Sequence, residues 1–110
     1  MKFLTLNEEV LLLAILKLKD NAYPVTIREE VIKMTQKKIV YGALYNSLDN
    51  LLKKDLVVSR KGDPTPEKGG KSKIYFSLTQ QGMMALQKNK EFHQFIWEGM
   101  EELVLEKGDR

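Results

Sequence analysis

With 110 residues, 43% hydrophobic and 30% charged, the chain has the composition of one ordinary globular domain rather than a disordered segment. Cysteine is absent, which excludes disulfides and thiolate metal sites and suits a reducing cytoplasm. The net charge of +3 is uneven: residues 1–32 carry −1, residues 33–73 carry ten basic and four acidic groups for +6, and residues 74–110 carry −2.

Met1 to Leu6 holds one lysine and no small-residue cleavage site, so no signal peptide is expected. Thr5-Leu6-Asn7-Glu8 fits a capping box, with Asn7 as an alternative cap. Val10, Leu11, Ala14, Ile15 and Leu18 recur at helical spacing, so a buried first helix ends near Lys19. Its apolar run, Val10 to Leu16, is too short to span a bilayer. Asp20-Asn21 stops it. After Tyr23-Pro24, Thr26 with Glu29 reads as a second capping box opening a helix of about ten residues. Ile27, Val31 and Met34 form its inward stripe, while Arg28, Glu29, Glu30 and Lys33 face water.

A turn at Thr35-Gln36-Lys37-Lys38 leads to a third helix from about Val40 to Lys54. Ala43 or Leu44, Leu48, and Leu51 with Leu52 point inward; Tyr41, Gly42, Tyr45, Asn46, Asp49, Asn50 and Lys53 lie on the other face. Three helices with a short connection between the second and third fit a helix-turn-helix. Leu56 to Arg60 and Lys73 to Leu78 are β-prone runs. Between them two prolines, an Asp63-Pro64 turn and Gly69-Gly70 form a long hairpin loop bearing Lys61, Lys68 and Lys71. Thr79 then caps a final helix running to about Glu106, with Gly108 as terminator, roughly 40 Å at helical rise. Its apolar residues outrun the preceding bundle, and a second copy of the chain is the simplest cover. The expected fold is α+β, mostly α. A winged helix-turn-helix of three helices and a β-hairpin wing occupies residues 1–79, and a long dimerisation helix occupies 80–110.

These strings carry a resemblance. The chain resembles a short PadR-like transcriptional regulator: the family's helix-turn-helix segment is similar to AYPVTIREEV, its recognition helix to YGALYNSLDNLLKKDLV, and its wing to GDPTPEKGGKSKIYFSLTQQG. The similarity covers about residues 3–86 and implies a homodimeric winged-helix protein whose last helix dimerises and which usually represses transcription. One departure is Val40, where family members often cap the recognition helix with serine or threonine. The extension after Gln87 is short and unlike the multi-helix tail of longer members.

In such folds the start of the recognition helix enters the major groove, which puts Tyr41, Gly42, Tyr45 and Asn46 nearest the bases. Gly42 either permits close approach to a phosphate or base, or packs against the second helix. Tyr45 matches the family's tyrosine in the Ala-Leu-Tyr run; it is a phosphate or groove contact, or a rim tyrosine with its ring half buried. Asn46 has the donors and acceptors to read adenine bidentately, or is simply exposed. Lys37, Lys38, Lys61, Lys68, Lys71 and Lys73, with Arg60 beside them, are phosphate candidates, which position a protein without reading sequence.

Leu86, Phe92, Phe95, Ile96, Met100 and Leu103 are the expected dimer contacts. Trp97, Phe92 and Met100, with Phe95, could line a pocket for a flat aromatic effector, as the resemblance allows; a packed dimer core would use the same residues. An enzyme has little support: there is one histidine, no glycine-rich phosphate loop and no metal-ligand cluster, and His93 and Glu101-Glu102 read as helix-surface residues. No cofactor is expected. The leading expectation is a sequence-specific, homodimeric transcriptional repressor that binds a two-fold-related operator in double-stranded DNA; its rival is a winged-helix interaction module for an acidic protein.

Overall fold

The computed structural model describes residues 3–63 and 72–108. Helix α1 (Leu6–Leu18) opens on the expected capping box: the Glu8 amide donates to Thr5 Oγ1 at 3.1 Å and the Thr5 amide to Glu8 Oε1 at 2.9 Å. It is the central element, and Leu11, Leu12, Ala14 and Ile15 on it are buried. A short 3-10 turn (Lys19–Asn21) leads to α2 (Pro24–Thr35) and then to α3 (Tyr41–Lys53). The antiparallel strands β1 (Val57–Lys61) and β2 (Ile74–Leu78) follow, in register from Val57 opposite Leu78 to Lys61 opposite Ile74. Helices α4 (Gln80–Trp97) and α5 (Glu101–Gly108) close the chain. The architecture is a winged helix-turn-helix, as the order of elements predicts.

One core joins all of the head. Ile27 and Val31 of α2, Leu44, Leu48 and Leu51 of α3, and Leu56, Val57 and Phe76 at the hairpin base pack around the α1 residues. Full burial of each large aliphatic side chain is worth about 1.5–3 kcal/mol, so this cluster is what holds three short helices at fixed angles. The hairpin is also tied by backbone: the Phe76 amide donates to the Ala22 carbonyl at 2.8 Å, and the Thr79 amide to the Leu56 carbonyl at 3.1 Å.

Two boundaries differ from expectation. Helix α2 begins two residues before Thr26, because Pro24 at its first position needs no amide partner and has a preset φ. Thr26 Oγ1 therefore sits inside the first turn, where it accepts from the Tyr23 amide at 3.1 Å, and the Thr26–Glu29 capping box does not form. The final helix is not continuous to Glu106. It stops at Trp97, Gly99 takes a φ of +74°, and the Met100 amide donates back to the Trp97 carbonyl at 2.8 Å before α5 starts. Positive φ is cheap for glycine and breaks the helical ladder.

The first part of α4 packs on the head. Ala85 and Leu86 lie against the core cluster, so Leu86, expected at a dimer contact, is already half covered within one chain. Asn89, expected to interrupt the apolar stripe, is buried and accepts from the Leu4 amide at 3.2 Å. Beyond it nothing on α5 is buried. The molecule measures 58 × 31 × 21 Å with a radius of gyration of 16.9 Å, against about 13 Å for a compact chain of this length.

Candidate nucleic-acid interface

The N-terminus of α3 is built as an open, weakly self-supporting turn. Val40 is the cap residue in extended conformation and makes no side-chain hydrogen bond, so the first amides of the helix are not satisfied by it. A capping serine or threonine would contribute about 1 kcal/mol there. Gly42 follows in the first turn and costs roughly another 1 kcal/mol against alanine. A Cβ built on Gly42 meets nothing within 4 Å, which removes close packing against α2 as its reason.

Tyr41 and Tyr45, one helical turn apart, present their rings side by side with centroids 6.2 Å apart, and Tyr45 is 54% exposed. Asn46 is exposed beside them. Lys37 and Lys38 are exposed in the turn that enters the helix. The turn is shaped by Gln36, which takes the left-handed conformation at φ 60° and ends α2 with its amide on the Ile32 carbonyl at 2.7 Å.

Arg28 breaks with its expected place in water. Its Nε donates to the Ile39 carbonyl at 2.6 Å, and its guanidinium lies 4.9 Å from the centroid of the Tyr41 ring. The sequence pattern assigned Arg28 only by its position on the polar face of α2; which groups come opposite that face is decided by how α3 is packed.

The wing base carries a second set of cation–aromatic contacts. Arg60 stacks over Tyr75, its neighbour directly across the strands, at 4.6 Å. Tyr75 meets Tyr23 edge to face at 5.5 Å, and Lys73 Nζ lies 4.2 Å from the Tyr23 ring. Such contacts are worth about 0.5–1 kcal/mol each at exposed sites, and here they fix the hairpin against the start of α2. Gly62 lies beneath Tyr75: a Cβ there would be 2.5 Å from the ring, which would have to shift to admit any other residue. Lys61 is exposed at the end of β1. Lys68 and Lys71 lie outside the described residues. Sequence reading missed Arg28, Tyr23, Tyr75 and Gly62. The Arg60–Tyr75 register was not legible either, because a long connection between the two strands gives no tight turn from which to count.

Between α3 and the wing runs an open groove of about 520 Å³, walled by Tyr23, Val25, Tyr45, Lys73, Ile74 and Phe76. A second groove of about 480 Å³ lies on the far side, among Phe3, Glu8, Lys54, Leu56, Met84 and Lys88. Neither is lined by Trp97, Phe92 or Met100, the residues expected at an effector pocket. Phe92 instead stacks on Phe3 with centroids 4.2 Å apart. Under the second groove, Lys54 Nζ contacts Glu8 Oε2 at 2.5 Å. Burial acts to raise the Glu8 carboxyl, but the Lys54 ammonium and the Thr5 groups outweigh it and hold it below its ordinary value. His93 Nε2 lies 3.5 Å from Glu9 Oε1 on the surface. Among the described residues no three His, Cys, Asp or Glu side chains gather as a metal site, and no helix is long and apolar enough to cross a membrane.

Comparison with known proteins fits this geometry. The sequence profile of the PadR-like family of transcriptional regulators matches residues 12–88. Among solved structures, the chain is similar to a PadR family transcription regulator from Clostridium difficile R20291. The two share 24% identity and a TM-score of 0.67, over 88% of this chain and 97% of that one. It is also similar to a PadR-like transcriptional regulator from Bacillus cereus ATCC 14579, with 17% identity and a TM-score of 0.71 over 89% and 90% of the two chains. F93 from STIV, a winged-helix DNA-binding protein, shares 23% identity and a TM-score of 0.62 over 86% and 95%. No curated protein matches the sequence.

Proposed function

This chain belongs to the PadR-like family of transcriptional regulators, which are not enzymes, and we propose that it is a homodimeric repressor of a two-fold-related DNA operator. In this reading the first turn of α3 enters the major groove and the hairpin lies along the flanking backbone. The observation that carries it is the open start of α3: Tyr41, Gly42, Tyr45 and Asn46 all exposed, with no side-chain cap and open space where a Cβ on Gly42 would stand. Uncapped helix amides favour a phosphate, and a missing Cβ lets DNA come close. Lys37 and Lys38 flank that turn on one side, and Lys61 and Lys73 belong to the wing on the other. The family's wing similarity adds Lys68 and Lys71 to the phosphate contacts.

Dimerisation is supported by apolar side chains that the chain itself does not cover. Phe95 is 72% exposed, and Ile96, Met100 and Leu103 are exposed on the same arm. Two heads related by a dyad would place their α3 helices about one DNA turn apart, or a multiple of it, on one face. An aromatic effector, if it binds, would require Trp97, Phe92 and Met100 to meet their copies across that dyad.

A mobility-shift titration of the gene's own upstream region tests the reading, comparing wild type with Tyr45→Ala and Lys38→Glu. Tyr45→Ala is expected to weaken binding about tenfold and Lys38→Glu by at least as much. Raising salt from 50 to 200 mM should cost the wild type roughly a hundredfold, the loss for about four phosphates neutralised. Equal binding by all three proteins, or affinity indifferent to salt, would leave the basic face to an acidic protein partner.

A further inference from the structure

Arg28 of the second helix reaches both sides of the cap of the third. Ile39 and Tyr41 flank Val40, and one guanidinium holds the carbonyl of the first at 2.6 Å and the ring of the second at 4.9 Å. Tyr41 in turn lies beside Tyr45, at 6.2 Å between centroids. The local sequence does not supply this order: Val40 offers no capping oxygen and Gly42 loosens the first turn. The brace therefore comes from outside the helix.

Resting on the DNA reading above, we propose that Arg28 is a positioning residue for recognition, its guanidinium pinning the Ile39 carbonyl and the Tyr41 ring so that the first turn of α3 is presented at one fixed angle. Arginine is suited to this and lysine is not. The planar guanidinium can donate in its plane from Nε while its face lies on an aromatic ring, whereas an ammonium is a compact point charge that cannot do both in one geometry. The contact to a backbone carbonyl by a charged donor is of the stronger kind and short at 2.6 Å. Arg28 is half-buried, so the clamp is partly shielded from water.

The test measures the brace and the DNA separately, on the full chain, with wild type, Arg28→Lys and Arg28→Met. Amide hydrogen exchange reports the first turn of α3 directly, and duplex titrations compare the gene's upstream region with a scrambled duplex of equal length. Arg28→Met should speed exchange of the Leu44, Tyr45 and Asn46 amides about tenfold while the buried amides of α1 stay protected. It should also weaken binding to the upstream duplex about tenfold more than to the scrambled one, leaving the salt slope of the scrambled duplex unchanged. Arg28→Lys should recover less than half of either loss on a logarithmic scale. Unchanged exchange in Arg28→Met overturns the proposal, and so does protection lost throughout α1, which would make Arg28 a general structural residue. It also falls if affinity for both duplexes drops equally, the salt slope decreases by about one contact and lysine restores both, because Arg28 would then be a phosphate ligand. If the wild type does not distinguish the duplexes but α3 exchange still rises, the brace stands and the operator reading fails.

Discussion

Two glycines, each in the opening turn of a helix, make opposite demands at the scale of single residues. Gly42 has open space around its missing Cβ, while a Cβ on Gly82 would run into the backbone carbonyl of Leu56, which has nowhere to move. Gly42→Ala should therefore stabilise the isolated protein by about 0.5–1 kcal/mol, yet weaken operator binding if DNA occupies that space. Gly82→Ala should destabilise by about 2–3 kcal/mol through overpacking. Thermal unfolding of the two variants checks the contrast, and a stabilised Gly82→Ala would contradict the packing. Residue type and helical phase were enough to expose Tyr41, Tyr45 and Asn46 in advance. They could not tell which of the two glycines was crowded, since crowding depends on a hairpin brought from elsewhere in the chain.

Elements were legible wherever a single stretch of chain decides its own ends. The α1 capping box and the apolar stripe of α3 depend on neighbours three or four positions away, and the β-prone run that becomes β2 on its own composition. The start of α2 and the end of α4 each turn on one residue that overrides the helical pattern around it: Pro24, preset for a first turn, and Gly99, cheap at positive φ. Contacts between elements need tertiary structure. The Glu8–Lys54 pair links the start of α1 to the end of α3 and has a pH signature. A carboxyl held lower in the folded chain than in the unfolded one adds stability above the unfolded value and loses it as pH falls through the folded one. For Glu8 that window opens below its ordinary value of 4.5. Acidification from pH 6 to 3.5 should therefore lower the thermal midpoint of wild type more than that of Glu8→Gln; identical slopes would show that the pair contributes nothing.

At the scale of the whole molecule, the head is closed and the arm is not. The second half of α4 and all of α5 show no buried residue beyond Asn89, and this arm accounts for a radius of gyration of 16.9 Å. Phe95, Ile96, Trp97, Met100, Leu103, Val104 and Leu105 are exposed together along it, an apolar surface of the kind that marks association. Sedimentation at micromolar concentration should give twice the 12.7 kDa chain mass. The double variant Phe95→Glu, Leu103→Glu should shift to monomer and lose operator affinity, because each half-site would then bind alone. A wild-type monomer would rule out the paired-helix arrangement.

From the sequence by itself came the identity of the elements, the placing of positive charge around the third helix and hairpin, and the family, since all three depend on short-range spacing and composition. Tertiary structure decided what Arg28 holds, how the wing base is locked by Tyr75 and Tyr23, and that Asn89 is a buried anchor rather than a gap in a stripe. Each of those joins residues distant in the chain. Periodicity says which face of a helix a side chain occupies, but only the packing of one element on another says what that face meets.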